Sequence, residues 1–99
     1  MIKHIVLFKL KDGVPADEKL AAMNSFKTAI ESLPAKISVI RKIEVGLNMN
    51  PAETWSIALY SEFDTLDDLK FYAVHPDHVA AGKLLADVKE SRACVDYEV

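Results

Sequence analysis

The chain opens on an alternation. From Ile2 to Lys11, I-K-H-I-V-L-F-K-L-K sets His4, Val6, Phe8 and Leu10 on one side of an extended backbone and Ile5 and Leu7 on the other. A period of two predicts a strand. D-G-V-P at 12–15 reads as a turn that delivers Pro15 to the first helical position. The period then changes: Leu20, Met23, Phe26 or Lys27, Ile30 and Leu33 recur at helical spacing, and Pro34 closes the run. A second strand is predicted over 38–47, with Val39, Arg41, Ile43, Val45 and Leu47 in alternation, followed by a loop at 48–53. Residues 55–63 form the third strand, Trp55, Ile57, Leu59 and Phe63 on one face and Ala58 and Tyr60 on the other. Asp64 or Thr65 caps a short helix over about 65–74, with Asp67 or Asp68 in its first turn. Pro76 starts a further helix to about Glu90, and R-A-C-V-D-Y-E-V alternates Ala93, Val95, Tyr97 and Val99 as a fourth strand.

The order β-α-β-β-α-α-β predicts an α+β, ferredoxin-like fold with a four-stranded antiparallel sheet and helices on one face. Three helical segments cover only one face of such a sheet, yet both faces of the first and third strands carry apolar side chains. A wet second face would alternate more cleanly. The economical cover is another copy of the chain, which predicts a homodimer packed through the open sheet face. A monomer with a partly apolar outer face is the alternative, since scattered exposed apolar groups are common.

Composition fits this picture and removes several functions. The 99 residues make one domain, 1–99, with no repeats or linkers. A chain of this size buries roughly two-thirds of its unfolded surface and needs no staples. Hydrophobic residues are 51% and charged residues 27%, with 3 Gly and 4 Pro, an ordinary globular balance. A net charge of −3 disfavours nucleic acid or an anionic membrane as partner. The apolar stretch at the N-terminus is too short to span a bilayer, and no small-residue cleavage site follows it. One cysteine, Cys94, excludes an internal disulfide and fits a reducing cytoplasm. With no basic neighbour but Arg92 and no histidine near it in sequence, Cys94 is not read as a nucleophile. Trp55, Phe63 and Tyr97 read as core. There is no glycine-rich phosphate loop and no G-x-S-x-G, and no cofactor is expected.

The candidate chemistry lies in Y-A-V-H-P-D-H, Tyr72 to His78, which holds two of the three histidines. As a metal site it is weak: Pro76 disfavours helical geometry at His75, and no third strong ligand lies nearby in sequence, so no metal is expected. As a helix start it accounts for His75, whose ring accepts from a free backbone N–H, and for Asp77 at the positive end of the helix. His78 has two readings, a structural residue hydrogen-bonded across the helix start and a general base. A cation is unfavourable at a helix N-terminus, which should lower the pKa of His78 and leave a neutral imidazole with a free lone pair, as a general base requires. Tyr72 could present a phenol to the same pocket, where it would donate to a carbonyl or enolate oxygen. By parity His4 shares the helix-facing side of strand one, and Val6, Phe8, Phe26, Ile57 and Leu59 would wall a small apolar pocket between sheet and helices.

Over essentially its whole length the chain resembles the stress-responsive A/B barrel (Dabb) family of dimeric α+β barrels. The resemblance rests on H-I-V-L-F-K-L-K, V-G-L-N, F-D-T-L-D-D-L-K-F-Y, the H-P-D-H that follows a tyrosine, and the closing V-D-Y. It implies a ferredoxin-like dimer whose sheets form a common barrel, in a family that includes a plant stress protein and a plant polyketide cyclase. In the cyclase-like members, the second histidine of H-P-x-H acts as base and the tyrosine supports the oxyanion. These correspond to His78 and Tyr72, and a strand-one histidine corresponds to His4. A cyclase histidine on strand three is replaced here by Ile57, which weakens the transfer. Three functions are therefore expected in turn. The first is a homodimer with a pocket for a small apolar or aromatic ligand. The second is a cyclase- or isomerase-like enzyme using His78, Tyr72 and His4. The third is a barrel monooxygenase.

Overall fold

The computed structural model describes residues 1–99. Strand β1 (Ile2–Leu10) lies inside the sheet, between β3 (Ile57–Phe63) and β4 (Lys89–Glu98), and β2 (Lys42–Leu47) completes the order β2-β3-β1-β4. Every pairing is antiparallel. Because side chains alternate across a strand, the register fixes the faces. Val6 stands opposite Leu59 on one side and Cys94 on the other, so these three share the helix-facing side. The fold expected from the periodicity is the fold found.

Helix α1 (Ala16–Glu31) carries Asp17 and Glu18 in its first turn, where the helix dipole favours acids, and buries Phe26 and Ile30. Pro15 caps it from outside, one residue earlier than expected. The helix stops at Glu31, and Pro34 sits inside a 3-10 turn over Leu33–Ala35 that buries Leu33. Proline has no N–H to extend the α-helical ladder, so the chain tightens instead. β2 begins at Lys42 and not at 38: Ile37 and Ile40, three apart, are both buried in a turn, and Ile40 N–H donates to Ile37 O at 3.3 Å.

Helix α2 (Leu66–Val74) is capped by Thr65, whose hydroxyl accepts from the Asp68 N–H at 3.1 Å. Helix α3 (Pro76–Lys83) ends well short of Glu90. Leu85 and Val88 keep the apolar spacing, but bonds from Leu85 N to Gly82 O and from Val88 N to Leu85 O run three residues back, making turns of the tighter 3-10 kind. β4 accordingly starts at Lys89, three residues before Arg92.

All helices pack on one face of the sheet. The core joins Val6, Phe8, Phe26, Ile30, Val45 and Leu59, with the Phe8 and Phe26 rings edge to face at 5.3 Å. Each such side chain contributes roughly 1.5–3 kcal/mol when fully buried. The opposite face of the sheet has no cover. There Ile5 and Leu7 are half-buried and Val95 is exposed. Tyr97, read as core in the sequence, is 42% exposed because it pairs with Lys3 on this outer side. Phe63 is fully buried and Trp55 half-buried. No helix is long and apolar enough to cross a membrane.

Candidate functional site

The helices cover β1, β2 and β3 but leave β4 bare, and every residue from Glu90 to Glu98 is exposed. Between β1 and α3, beside this bare strand, lies a cavity of about 310 Å3. That is at the small end of the ~300–1,000 Å3 usual for ligand pockets. Its inner wall is Val6, Phe8, Phe26 and Leu59, four of the five apolar residues expected there. The fifth, Ile57, does not reach it. Ile57 is buried on β3 between its partners Phe8 and Leu47, one strand away from the cavity beside β1. The opposite wall comes from Val79, Gly82 and Lys83 of α3, Ala86 of the turn after it and, from the sheet, Lys89 and Arg92.

The H-P-D-H segment divides its histidines between two jobs. His75 ends α2 and caps α3, its Nδ1 accepting from the Asp77 N–H at 3.1 Å. This is the helix-start role expected for it. His78 lines the cavity. Its Nδ1 lies 2.9 Å from Ala73 O. A carbonyl only accepts, so Nδ1 carries the proton and Nε2 keeps its lone pair. Burial, more than helix position, pushes the His78 pKa below its ordinary value. The Ala73 hydrogen bond works against this, and the charges of His4, Arg92 and His75 add to the lowering. The direction expected for His78 is met, but its main cause is desolvation and not the helix dipole.

Tyr72 is wholly buried behind His78, ring centroids 4.3 Å apart, and does not line the cavity. Its hydroxyl has no hydrogen-bond partner. An unsatisfied buried hydroxyl costs about 1–3 kcal/mol. Burial pushes the phenol pKa well up, so the group is a donor and not a phenolate. The Ser61 hydroxyl is the other buried side-chain polar atom without a partner.

His4 is buried on β1, its ring 6.3 Å from that of Tyr72 and edge-on to it. Its Nδ1 donates to the Asp96 carboxylate. Residues 4 and 96 are direct cross-strand partners, and Cys94 Sγ lies 3.6 Å from the same His4 nitrogen. Cys94 therefore does have a histidine neighbour, brought to it across the sheet. Burial first, then the Asp96 charge, raises the thiol pKa, which opposes a nucleophilic thiolate. His4, Cys94 and Asp96 offer three donor atoms within 4.8 Å of one another, the one grouping of metal-ligating types in the chain. Sequence reading missed Asp96, Arg92, Lys83 and Lys89. The parity of β4 was legible, but its register against β1 was not, and only the register pairs His4 with Asp96.

The chain matches the family described as Stress responsive A/B Barrel Domain over residues 2–99. It is 39% identical to an uncharacterised protein of Streptomyces coelicolor over 99% of both chains. It is 30% identical to a stress-response A/B barrel domain-containing protein of Arabidopsis thaliana, covering 98% of this chain but 46% of that one. A crystal structure from Bacteroides fragilis, a dimeric protein of unknown function with a ferredoxin-like fold, superposes with a TM-score of 0.98 at 81% identity, covering 99% of this chain and 95% of that one. Olivetolic acid cyclase of Cannabis sativa is 23% identical over 97% of this chain and 94% of its own. The chain belongs to the stress-responsive A/B barrel (Dabb) family.

Proposed function

We propose that the protein is a homodimer, joined through the outer sheet face, whose cavity binds a small carbonyl compound and uses His78 to move a proton alpha to the carbonyl. The observation that carries this is the state of His78. One ring nitrogen is tied to a backbone carbonyl and the other keeps its lone pair, on a ring that lines the cavity and whose pKa is lowered. In the reaction, the Cα–H bond breaks, its proton passes to Nε2, and the electron pair moves to the carbonyl oxygen as an enolate. Tyr72 lies behind that ring and outside the cavity lining, so its unpartnered hydroxyl serves as donor to the enolate oxygen only when the His78 ring swings aside to admit the ligand. His4, anchored by Asp96, supplies a second ring near Tyr72. The cyclase relative supports reaction of this class, and the dimeric Bacteroides fragilis relative supports the assembly.

The test is hydrogen–deuterium exchange at the alpha carbon of small aromatic ketones in heavy water, followed by NMR. Wild type should accelerate exchange, and His78→Gln should lose about 10²–10⁴ of that acceleration. Equal exchange with both proteins would remove His78 as base. No acceleration by either would leave a binding module without this chemistry.

A further inference from the structure

The cavity has an uneven charge pattern that the proton-transfer reading does not use. Its inner wall is apolar, from Val6, Phe8, Phe26 and Leu59, while Val79 and Ala86 in its lining are exposed. Its remaining charged lining is Lys83, Lys89 and Arg92, with no carboxylate among the lining residues. None of these three cations takes part in an ion pair, although Lys9, Lys27 and Arg41 elsewhere each have an acidic partner. Lys83 lies in the last turn of α3, where the helix dipole already favours a cation. Lys89 and Arg92 stand on β4 and have no such reason to be there. The Arg92 charge adds to the lowering of the His78 pKa and works against the rise at Tyr72 and Cys94, so its field reaches the centre of the site. The chain as a whole carries −3, which repels anions, so a concentrated positive rim is a local feature against the global sign.

We propose that the cavity selects an amphiphilic carboxylate, its apolar body against the β1 and α1 side chains and its carboxylate held by Arg92 with Lys83 and Lys89. This rests on the reading of the cavity as a ligand site and names the class of molecule it takes. Arg92 is suited to the head group because a guanidinium meets a carboxylate with two parallel N–H bonds, whereas the lysines act as point charges. The tail has the apolar side chains of Val6, Phe8, Phe26 and Leu59 to lie against, so each methylene it buries there favours binding. A carboxylate anchored at the rim would hold the rest of the molecule inward, toward His78.

The experiment follows backbone amides and the methyls of Val6, Leu59 and Val79 by NMR while octanoate, octan-1-ol or octyl phosphate is added. It compares wild type with Arg92→Gln and with Lys83→Gln/Lys89→Gln. All three positions carry cations outside the buried core, so folding should be retained, and the amide spectrum checks this. Octanoate should bind at least tenfold more tightly than octan-1-ol, shift those methyls, and lose most of its advantage in Arg92→Gln, an advantage worth about 1.4 kcal/mol per tenfold. Equal binding of octanoate and the alcohol at these methyls would overturn the anion selectivity while leaving the pocket intact. Tighter binding of octyl phosphate would overturn the carboxylate assignment. No methyl shift with any of the three would overturn this proposal together with the pocket reading beneath it.

Discussion

The space between sheet and helices has two halves with opposite characters. Toward β2, α1 and the turn after it drive Phe26, Ile30, Leu33 and Ile37 against Val45 and seal the interface, each of these at most 2% exposed. Toward β4, the helices stop short. β4 turns Arg92, Cys94 and Asp96 to the same side, all exposed, and a cavity opens next to them. One half spends its inward positions on packing and the other spends them on polar chemistry. The same face of one sheet thus serves stability at one edge and is free for function at the other.

The contrast is broken most directly by emptying the sealed half. Ile30→Ala should cost about 2–5 kcal/mol, since the side chain is completely buried and its neighbours are held by two elements. Arg92→Gln, on the bare strand, should change stability by no more than about 0.5 kcal/mol. Urea unfolding of the two variants beside wild type reads both. A loss at Arg92 comparable to that at Ile30 would mean that the open half is structural after all.

A third region, the outer face, enters through the proposed dimer. Val95 is 54% exposed in the single chain and lies opposite Ile5 on that face. Val95→Asp should raise the dimer dissociation constant at least 100-fold, about 2.7 kcal/mol, because a carboxylate would be buried without a partner. Sedimentation across a concentration series tests it. An unchanged dimer would place the interface elsewhere.

The sealed half was the more legible in sequence. Phe26, Ile30 and Leu33 announced themselves by helical spacing, and the alternation of β1 separated His4, Val6, Phe8 and Leu10 from Ile5 and Leu7 as observed. The errors fell where one apolar spacing serves two conformations. Val39 and Arg41 continued the alternation of β2 back to 38, where the chain in fact turns to bury Ile37 and Ile40, and Leu85 and Val88 keep a spacing of three that fits a turn as well as the helix expected to about Glu90. In the site, the cap role of His75 was readable from Pro76, whereas the burial that governs His78 was not. The pairing of His4 with Asp96 depends on a register across 92 residues of sequence, which no local pattern encodes. Tyr97 shows the same limit, since alternation gave its parity but not which face was covered.

Tyr72 sharpens the comparison within the open half. Its hydroxyl is buried with no partner, so it is a polar group kept at a cost. Tyr72→Phe should therefore leave stability unchanged or raise it by up to about 1 kcal/mol, while slowing any enolisation that His78 performs. Thermal unfolding and the deuterium-exchange assay, run on the same sample, separate the two effects. A clear loss of stability would show that the hydroxyl has a partner in solution and serves packing, as Phe26 does.

The smallest effect expected is one of pH. Burial holds the folded-state pKa of His78 below its ordinary 6.5. As pH falls toward that value, the unfolded chain binds a proton at residue 78 before the folded chain does. Unfolding then takes up protons, so stability declines as pH drops through 6.5, and the decline ends below the folded-state pKa. His78→Gln removes this titration and leaves His4 and His75 in place. Wild type should therefore lose stability relative to His78→Gln when urea unfolding is compared between about pH 7.5 and about pH 5.5. The same lowered pKa should carry the acid limb of the exchange rate below the ordinary histidine range, because the base stays neutral to lower pH. A stability difference that does not change with pH would mean that His78 is no more desolvated than a surface histidine. The bare edge would then hold an exposed ring and not a poised base.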